Sequence, residues 1–223
     1  MTAAPLPDAA RWAPVVSALL CGLMAVAAVA GLSHWTTGFE RWTFESRRHW
    51  QIEQGQLNAP AVALIDSHGA PLHGWATQPT ARAHLVDFIY TRCPSVCQAL
   101  GTHYQQMQRE LQHQPDSNAG IRLLSISIDR AHDQPPELAR HARLHNADAR
   151  WWQLAVPASD ADASALLRAL GVVVVPDGFG GFNHNGAIHL IDAQGRLRGL
   201  FEFEQWGQAL DAARALNAPG SAL

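Results

Sequence analysis

His84-Leu85-Val86-Asp87-Phe88-Ile89-Tyr90 runs without a break into Thr91-Arg92-Cys93-Pro94-Ser95-Val96-Cys97, and a long polar segment of helical character follows. The stretch up to Tyr90 is β-branched and aromatic enough to predict a buried strand. Pro94 suits the first turn of a helix, where its missing N–H costs nothing and its fixed φ is already right. Cys93 then falls at the helix N-cap and Cys97 one turn further in, both on one face. Two thiols so placed can close a disulfide, because one helical turn falls within the roughly 4.4–6.8 Å Cα separation a disulfide tolerates. They can also present two thiolates to one soft metal ion. The partial positive charge of the helix N-terminus lowers a nearby thiol pKa and helps either use. The chain has only three cysteines, and two of them bracket a proline at a strand-to-helix junction. Cysteine is kept or lost for its reactivity more than for its packing. The pair is the predicted functional centre.

Upstream, Ala13 to Leu32 is uncharged and rich in Ala, Val and Leu, and about 20 apolar residues suffice to cross a bilayer as a helix. Arg11 precedes it and Glu40, Arg41, Glu45, Arg47 and Arg48 follow, so charge bias alone does not set an orientation. Ala28-Val29-Ala30 resembles a signal-peptide cleavage site, but the apolar stretch is longer than a usual signal h-region, which favours an uncleaved anchor. Cys21, inside the stretch, reads as a small membrane-facing residue. Anchor or leader, the segment exports the rest of the chain and places Cys93 and Cys97 in an oxidising compartment. Trp35, Trp42 and Trp50 fit an interfacial belt or a short juxtamembrane helix. The expected partition is a tail over 1–12, a transmembrane anchor over 13–32, a juxtamembrane segment over 33–57, one domain over 58–217 and a tail over 218–223. A domain of that size buries a core without disulfide staples. The formal charge of −3 supplies no basic field, so nucleic-acid binding has no electrostatic support.

Downstream, the domain alternates strands and helices. Ala61–Asp66 reads as a strand, Ser67-His68-Gly69 as a turn and Ala70–Trp75 as a short return strand. Pro94 to His113 is the first long helix, and Ile121–Asp129 a second buried strand. Pro135-Pro136-Glu137 opens a helix running to about His145, and Trp151–Val156 is a third strand. Ala161–Leu170 is a helix closed by Gly171, followed by a short β-branched strand, Val172–Val175. A glycine-rich loop, Pro176–Gly186, leads to a hairpin of Ala187–Asp192 and Arg196–Phe203, and a helix from Glu204 to Asn217 closes the fold. This order predicts an α/β domain with a mixed central sheet flanked by helices on both faces, thioredoxin-like, with the Cys-Pro-x-x-Cys turn after a central strand.

Tyr90-Thr91-Arg92-Cys93-Pro94-Ser95-Val96-Cys97 resembles the cysteine site of the Sco/SenC family of copper chaperones for cytochrome c oxidase assembly. Ser125–Asp129 with Asp133, Trp152-Gln153-Leu154, and His184 just ahead of Ala187–Asp192 are similar to further parts of that family's pattern. The resemblance covers roughly Ala61 to Leu216. It implies a thioredoxin-like domain on a single inner-membrane anchor, facing the periplasm or another extracytoplasmic space. It implies copper held by Cys93, Cys97 and His184, and the copper-site subunit of cytochrome c oxidase as partner, with other copper chaperones or thiol reductants as further partners. Two thiolates and one imidazole suit Cu(I), whereas zinc calls for a fourth ligand. Ser95, Gln98 and Asn183 stand where the family commonly has an acidic residue, a proline and an aspartate; the lost acids weaken Cu(II) more than Cu(I).

A metallochaperone is not an enzyme in the turnover sense. The alternative is a thiol–disulfide oxidoreductase that reduces the oxidase's copper-site cysteines, with Cys93 attacking and Cys97 resolving. The three-residue spacer argues against a dedicated oxidoreductase, whose usual spacing is two. A peroxidase-like thiol enzyme rests on Arg92 alone. Among the other polar residues, His189 is expected on the sheet surface. His103 and His113 are expected on the first helix away from the pair, and His132, His141 and His145 at ordinary exposed positions. Asp129 and Asp133 are expected near the thiols, where they either tune them or cap the next helix.

Overall fold

The computed structural model describes residues 8–35, 44–73, 75, 81–93 and 96–218, with side chains left out at 8–11, 44, 45, 73 and 96–100. The chain divides into two units, Met1–Trp50 and Gln51–Leu223. In the first, helix α1 (Asp8–Trp35) contains a span, Trp12–Trp35, long and apolar enough to cross a membrane. Leu19, Leu23, Met24 and Val26 on it are exposed, which in water would be unfavourable and in lipid is not. A second helix, α2 (Phe44–Glu53), lies where the juxtamembrane helix is expected.

The second unit is built on a seven-stranded sheet. Its strands are β1 (Ala63–Asp66), β2 (Pro71–His73), β3 (Ala83–Ile89), β4 (Ile121–Ser127), β5 (Trp152–Pro157), β8 (Ile188–Asp192) and β9 (Leu197–Phe201), in the spatial order β2-β1-β5-β4-β3-β8-β9. β3 runs parallel to β4 and antiparallel to β8, and β4 parallel to β5. The central strand β3 is buried along its whole length, the mark of a sheet covered on both faces.

Leu85 and Ile89 face helices α3 (Val96–His113), α4 (Pro135–Leu144) and α6 (Trp206–Asn217) in one core, with Tyr104, Met107, Leu111, Leu138 and Leu210. Val86 and Phe88 face the other way, towards helix α5 (Asp160–Ala169) and its Leu166. The sheet is therefore mixed and covered on both faces, as the sequence predicts. Met107 and Leu111 are fully buried and anchor α3 to the sheet; truncating either to alanine costs about 2–5 kcal/mol. That packing fixes the axis of the helix whose first turn carries Cys97.

One element departs from expectation. Val174–Pro176 (β6) does not join the main sheet but pairs antiparallel with Phe182–His184 (β7), inside the stretch expected to be loop. The glycines explain both outcomes. Gly178 and Gly180 take positive φ, which lets the chain turn back on itself between two short strands. Asp177 caps that turn, accepting from the N–H groups of Phe179 and Gly181 at 2.7 and 2.9 Å. Gly171, also at positive φ, closes α5 as expected.

Candidate metal centre

Cys93 sits at the corner where β3 ends and α3 begins. It is half-buried and packed on the core shared by α3, α4 and α6. Its N–H donates to the Tyr90 carbonyl at 3.1 Å, so the chain turns tightly between strand and thiol. Cys97 falls in the first turn of α3. Pro94 and Ser95, and the side chain of Cys97, lie outside the described residues.

The corner is braced from below by Asp133. This carboxylate is fully buried. Its Oδ2 accepts from the Thr91 N–H at 2.8 Å and the Ser127 hydroxyl at 2.7 Å, and its Oδ1 from the Thr91 hydroxyl at 2.5 Å. His132 Nδ1 lies 3.0 Å from the same Oδ1. Beside it, Asp129 binds the Arg92 guanidinium at 2.6 Å, and its N–H donates to the Ser127 hydroxyl at 3.0 Å. Capping is thus not the role of these acids: Gln134 stands at the N-cap of α4 and makes no side-chain cap bond. A buried carboxylate is stable only when its oxygens are filled, and the groups that fill Asp133 are those that shape the Cys93 corner.

His184 ends β7, register-paired with Val174. The Tyr90 ring meets the Phe182 ring at 5.5 Å between centroids and the His184 ring at 6.5 Å, both edge-on. Cys93 and His184 thus lie on two sides of Tyr90, one bonded to its carbonyl and the other packed on its ring. Phe182 and Phe203 complete an apolar surround. Phe203 lies so close over Gly186 that a Cβ there would come 2.1 Å from its ring. Burial pushes the His184 imidazole below its ordinary pKa, against a smaller opposite pull from the Asn185 backbone. Its Nδ1 is buried and has no hydrogen-bond partner among the described residues. An imidazole with one enclosed nitrogen that no described residue engages has the donor chemistry that a metal ligand needs.

Other histidines correct the expectation of exposure. His189 is buried, not on the sheet surface. Its ring is edge-on to Phe88 at 5.5 Å, with Nδ1 3.2 Å from the Ala187 carbonyl. Both faces of the sheet are covered, so neither side-chain direction of β8 leads to solvent. His141 is buried and His145 half-buried, their rings 4.5 Å apart, and a Cβ on Gly101 of α3 would meet the His145 ring at 2.2 Å. The missing side chain at Gly101 is what lets α4 close on α3. Burial pushes the pKa of His141 down to about 4 and lowers that of His145. His103 stacks on Trp206 at 6.4 Å.

Two buried polar residues in β3 escape a reading based on periodicity alone. His84 lies edge-on to Trp75 at 5.6 Å, and burial holds its pKa at about 4. Asp87 is enclosed near Ser125 and Tyr104, and burial pushes its carboxyl up to about 7. Tyr104 stands near enough to oppose that rise but not to form a well-made bond, since Asp87 Oδ1 and the Tyr104 hydroxyl each lack a partner among the described residues. The signal for Asp87 is in the sequence: one acid in an otherwise apolar strand that leads straight to the thiols.

A family model described as SCO1/SenC matches residues 53–217. The SCO1 protein homolog of Bacillus subtilis is 25% identical over 115 residues, a match spanning 51% of this chain and 58% of that relative. Among solved structures, a SCO1/SenC family lipoprotein from Bacillus anthracis superposes with a TM-score of 0.64 at 17% identity, covering 73% of this chain and 96% of that one. ScoI of Bradyrhizobium japonicum, solved with copper bound, gives 0.59 at 20% identity, covering 70% and 98%. These structural likenesses carry the thioredoxin-like fold. The family model spans strand, thiol corner, hairpin and closing helix alike, and on that match this protein belongs to the SCO1/SenC family.

Proposed function

We propose that this protein is a membrane-anchored copper metallochaperone. Cys93, Cys97 and His184 hold Cu(I), and the ion passes by ligand exchange to the copper site of cytochrome c oxidase during assembly. α1 is the single anchor, and the domain over 58–217 faces the periplasmic or extracytoplasmic side. The observation that carries this reading is His184: a half-buried imidazole whose enclosed Nδ1 has no partner among the described residues, packed on the same tyrosine whose carbonyl fixes the Cys93 corner. Two soft thiolates and one imidazole suit a soft, low-coordinate ion. Relatives support the cargo and the target. Yeast Sco1 and the Bradyrhizobium japonicum and Arabidopsis thaliana ScoI proteins were solved with copper bound, and BsSco is a member of the Sco family of cytochrome c oxidase assembly proteins.

The test is copper stoichiometry of the reduced full-length protein in detergent, as wild type and as His184→Ala. One tightly held Cu(I) per chain, markedly weakened in the variant, is the expected result. Unchanged binding in the variant removes His184 from the site. No binding at all, with a readily reversible Cys93–Cys97 disulfide, favours the oxidoreductase alternative, to which the disulfide switch identified in BsSco lends support.

A further inference from the structure

Tyr90 belongs to both halves of the site. Its carbonyl accepts the Cys93 N–H at 3.1 Å, so its main chain is part of the thiol corner. Its side chain, 4% exposed, lies in the hairpin: the hydroxyl donates to the Phe182 carbonyl at 3.2 Å, and the ring packs edge-on to Phe182 and His184. Gly181 makes room for this approach, since a Cβ there would come 3.1 Å from the Tyr90 hydroxyl and 2.6 Å from Asp177 Oδ2.

The hairpin needs such a tie. β6 and β7 form their own two-stranded sheet, joined at Val174–His184, Val175–Asn183 and Pro176–Phe182. Val173, Val175 and Phe179 face solvent. A two-stranded hairpin is marginal on its own in water, so the position of His184 depends on what holds β7 against the body. Asn185, whose side chain accepts from the Val173 N–H at 2.6 Å and donates to the Gly171 carbonyl at 3.0 Å, pins the far end, and the Tyr90 hydroxyl pins the side facing the thiol corner.

We propose that Tyr90 is a positioning residue: its hydroxyl holds β7, and with it His184, beside the thiol corner, and so sets how long bound copper stays three-coordinate. This rests on the copper-binding reading above. Releasing the hydroxyl from the Phe182 carbonyl frees β7 to move. The bond from copper to the His184 nitrogen then breaks, with its electron pair returning to the imidazole. The ion remains Cu(I) on two thiolates, open to a ligand from the acceptor. No electron or proton is exchanged.

The experiment loads the reduced full-length protein with one equivalent of Cu(I) and challenges it with a chromogenic Cu(I) chelator. Tyr90→Phe keeps the ring and removes the hydroxyl. Copper is expected to be held about five-fold more weakly and to leave about five-fold faster, the scale of one hydrogen bond. The nitrogen contribution in X-ray absorption is expected to fall. In a His184→Ala background, Tyr90→Phe changes nothing further, because the tyrosine acts through the histidine. Gly181→Ala pushes the hairpin off the hydroxyl from the other side and is expected to shift affinity in the same direction; it decides the matter where Tyr90→Phe fails to fold. If His184→Ala weakens copper while Tyr90→Phe and Gly181→Ala leave affinity and release unchanged, the positioning role is overturned. The same holds if Tyr90→Phe and His184→Ala simply add. If His184→Ala has no effect, the ligand set itself is wrong, and the positioning role falls with it.

Discussion

The two sides of the site are built in opposite ways. The thiol corner grows out of the central strand of a seven-stranded sheet, and Asp133 ties it down through the Thr91 amide, the Thr91 hydroxyl and the Ser127 hydroxyl. The His184 side is a small hairpin outside that sheet, with an exposed apolar edge, held by the Tyr90 phenol and by the Asn185 side chain, which bonds the Val173 N–H and the Gly171 carbonyl. Local stability follows buried contacts and enclosed hydrogen bonds, so in the copper-binding reading proposed above Cys93 sits on the held side and His184 on the side able to leave. A carrier that must bind a soft ion and also surrender it needs that asymmetry. Ligand exchange can start at the weaker bond while the thiolates keep the ion from escaping.

The sharpest way to break the contrast is to attack the braced side. Asp133→Ala leaves the buried Ser127 hydroxyl and the two part-buried donors of Thr91 without their acceptor and is expected to cost about 4 kcal/mol in urea unfolding. Asp133→Asn, which keeps one acceptor oxygen, should cost less than half of that. A loss below about 1 kcal/mol for Asp133→Ala would mean that backbone hydrogen bonds alone hold the corner.

Acid attacks the domain as a whole by titration. His84 and His141 have pKa values lowered from 6.5 to about 4, so between those limits the unfolded chain binds protons that the folded chain refuses. Their stabilisation is complete above pH 6.5 and is lost as pH falls to 4; the lowered His145 and His184 act in the same direction. Asp87 works against them. Its carboxyl is raised from 3.8 to about 7, so its stabilisation is complete below 3.8 and is lost as pH rises to 7. Two protons against one leave a net loss of about 3 kcal/mol on acidification from pH 6.5 to 4, at about 1.4 kcal/mol per pH unit and proton. A flat stability profile across that window would contradict the burial of these rings.

Asp87→Asn sharpens the same point with a smaller effect. At pH 8 it removes a buried carboxylate charge, and the variant should be about 1–2 kcal/mol more stable than the wild type. It should also lose stability more steeply below pH 6.5, its counterweight gone. A variant less stable than the wild type at pH 8 would show that the charge is satisfied by groups the geometry does not reveal.

The smallest effect belongs to the hairpin. Phe179 is 97% exposed, so Phe179→Ser should change global stability by less than about 0.5 kcal/mol. A larger loss would place the hairpin within the cooperative core and erase the contrast between the two sides.

Much of this was legible from local chemistry. A buried strand running into the Cys93 corner, the helix opened by Pro135, the Gly171 cap and a long apolar N-terminal helix each depend on neighbours within a few residues, and each is where the sequence predicts it. The family pattern also singled out His184 together with the two cysteines. Long-range placement was not legible. β6 looks like any short β-branched strand, and only the turn through Gly178 and Gly180 sends it back against β7 and away from the main sheet. The expected surface position of His189 fails for a related reason. Alternation along a strand separates inside from outside only when one face is wet, and here both faces are covered, so His189 is enclosed whichever way it points. Asp133 could have been a cap or a brace by its position alone. Three donors from β4 and the Cys93 corner, converging from well apart in the chain, made it the brace. Sequence therefore determined which residues are candidates for the chemistry, because reactivity and turn geometry are local. Tertiary structure decided which of them are held and which can move, because that depends on what each is buried against.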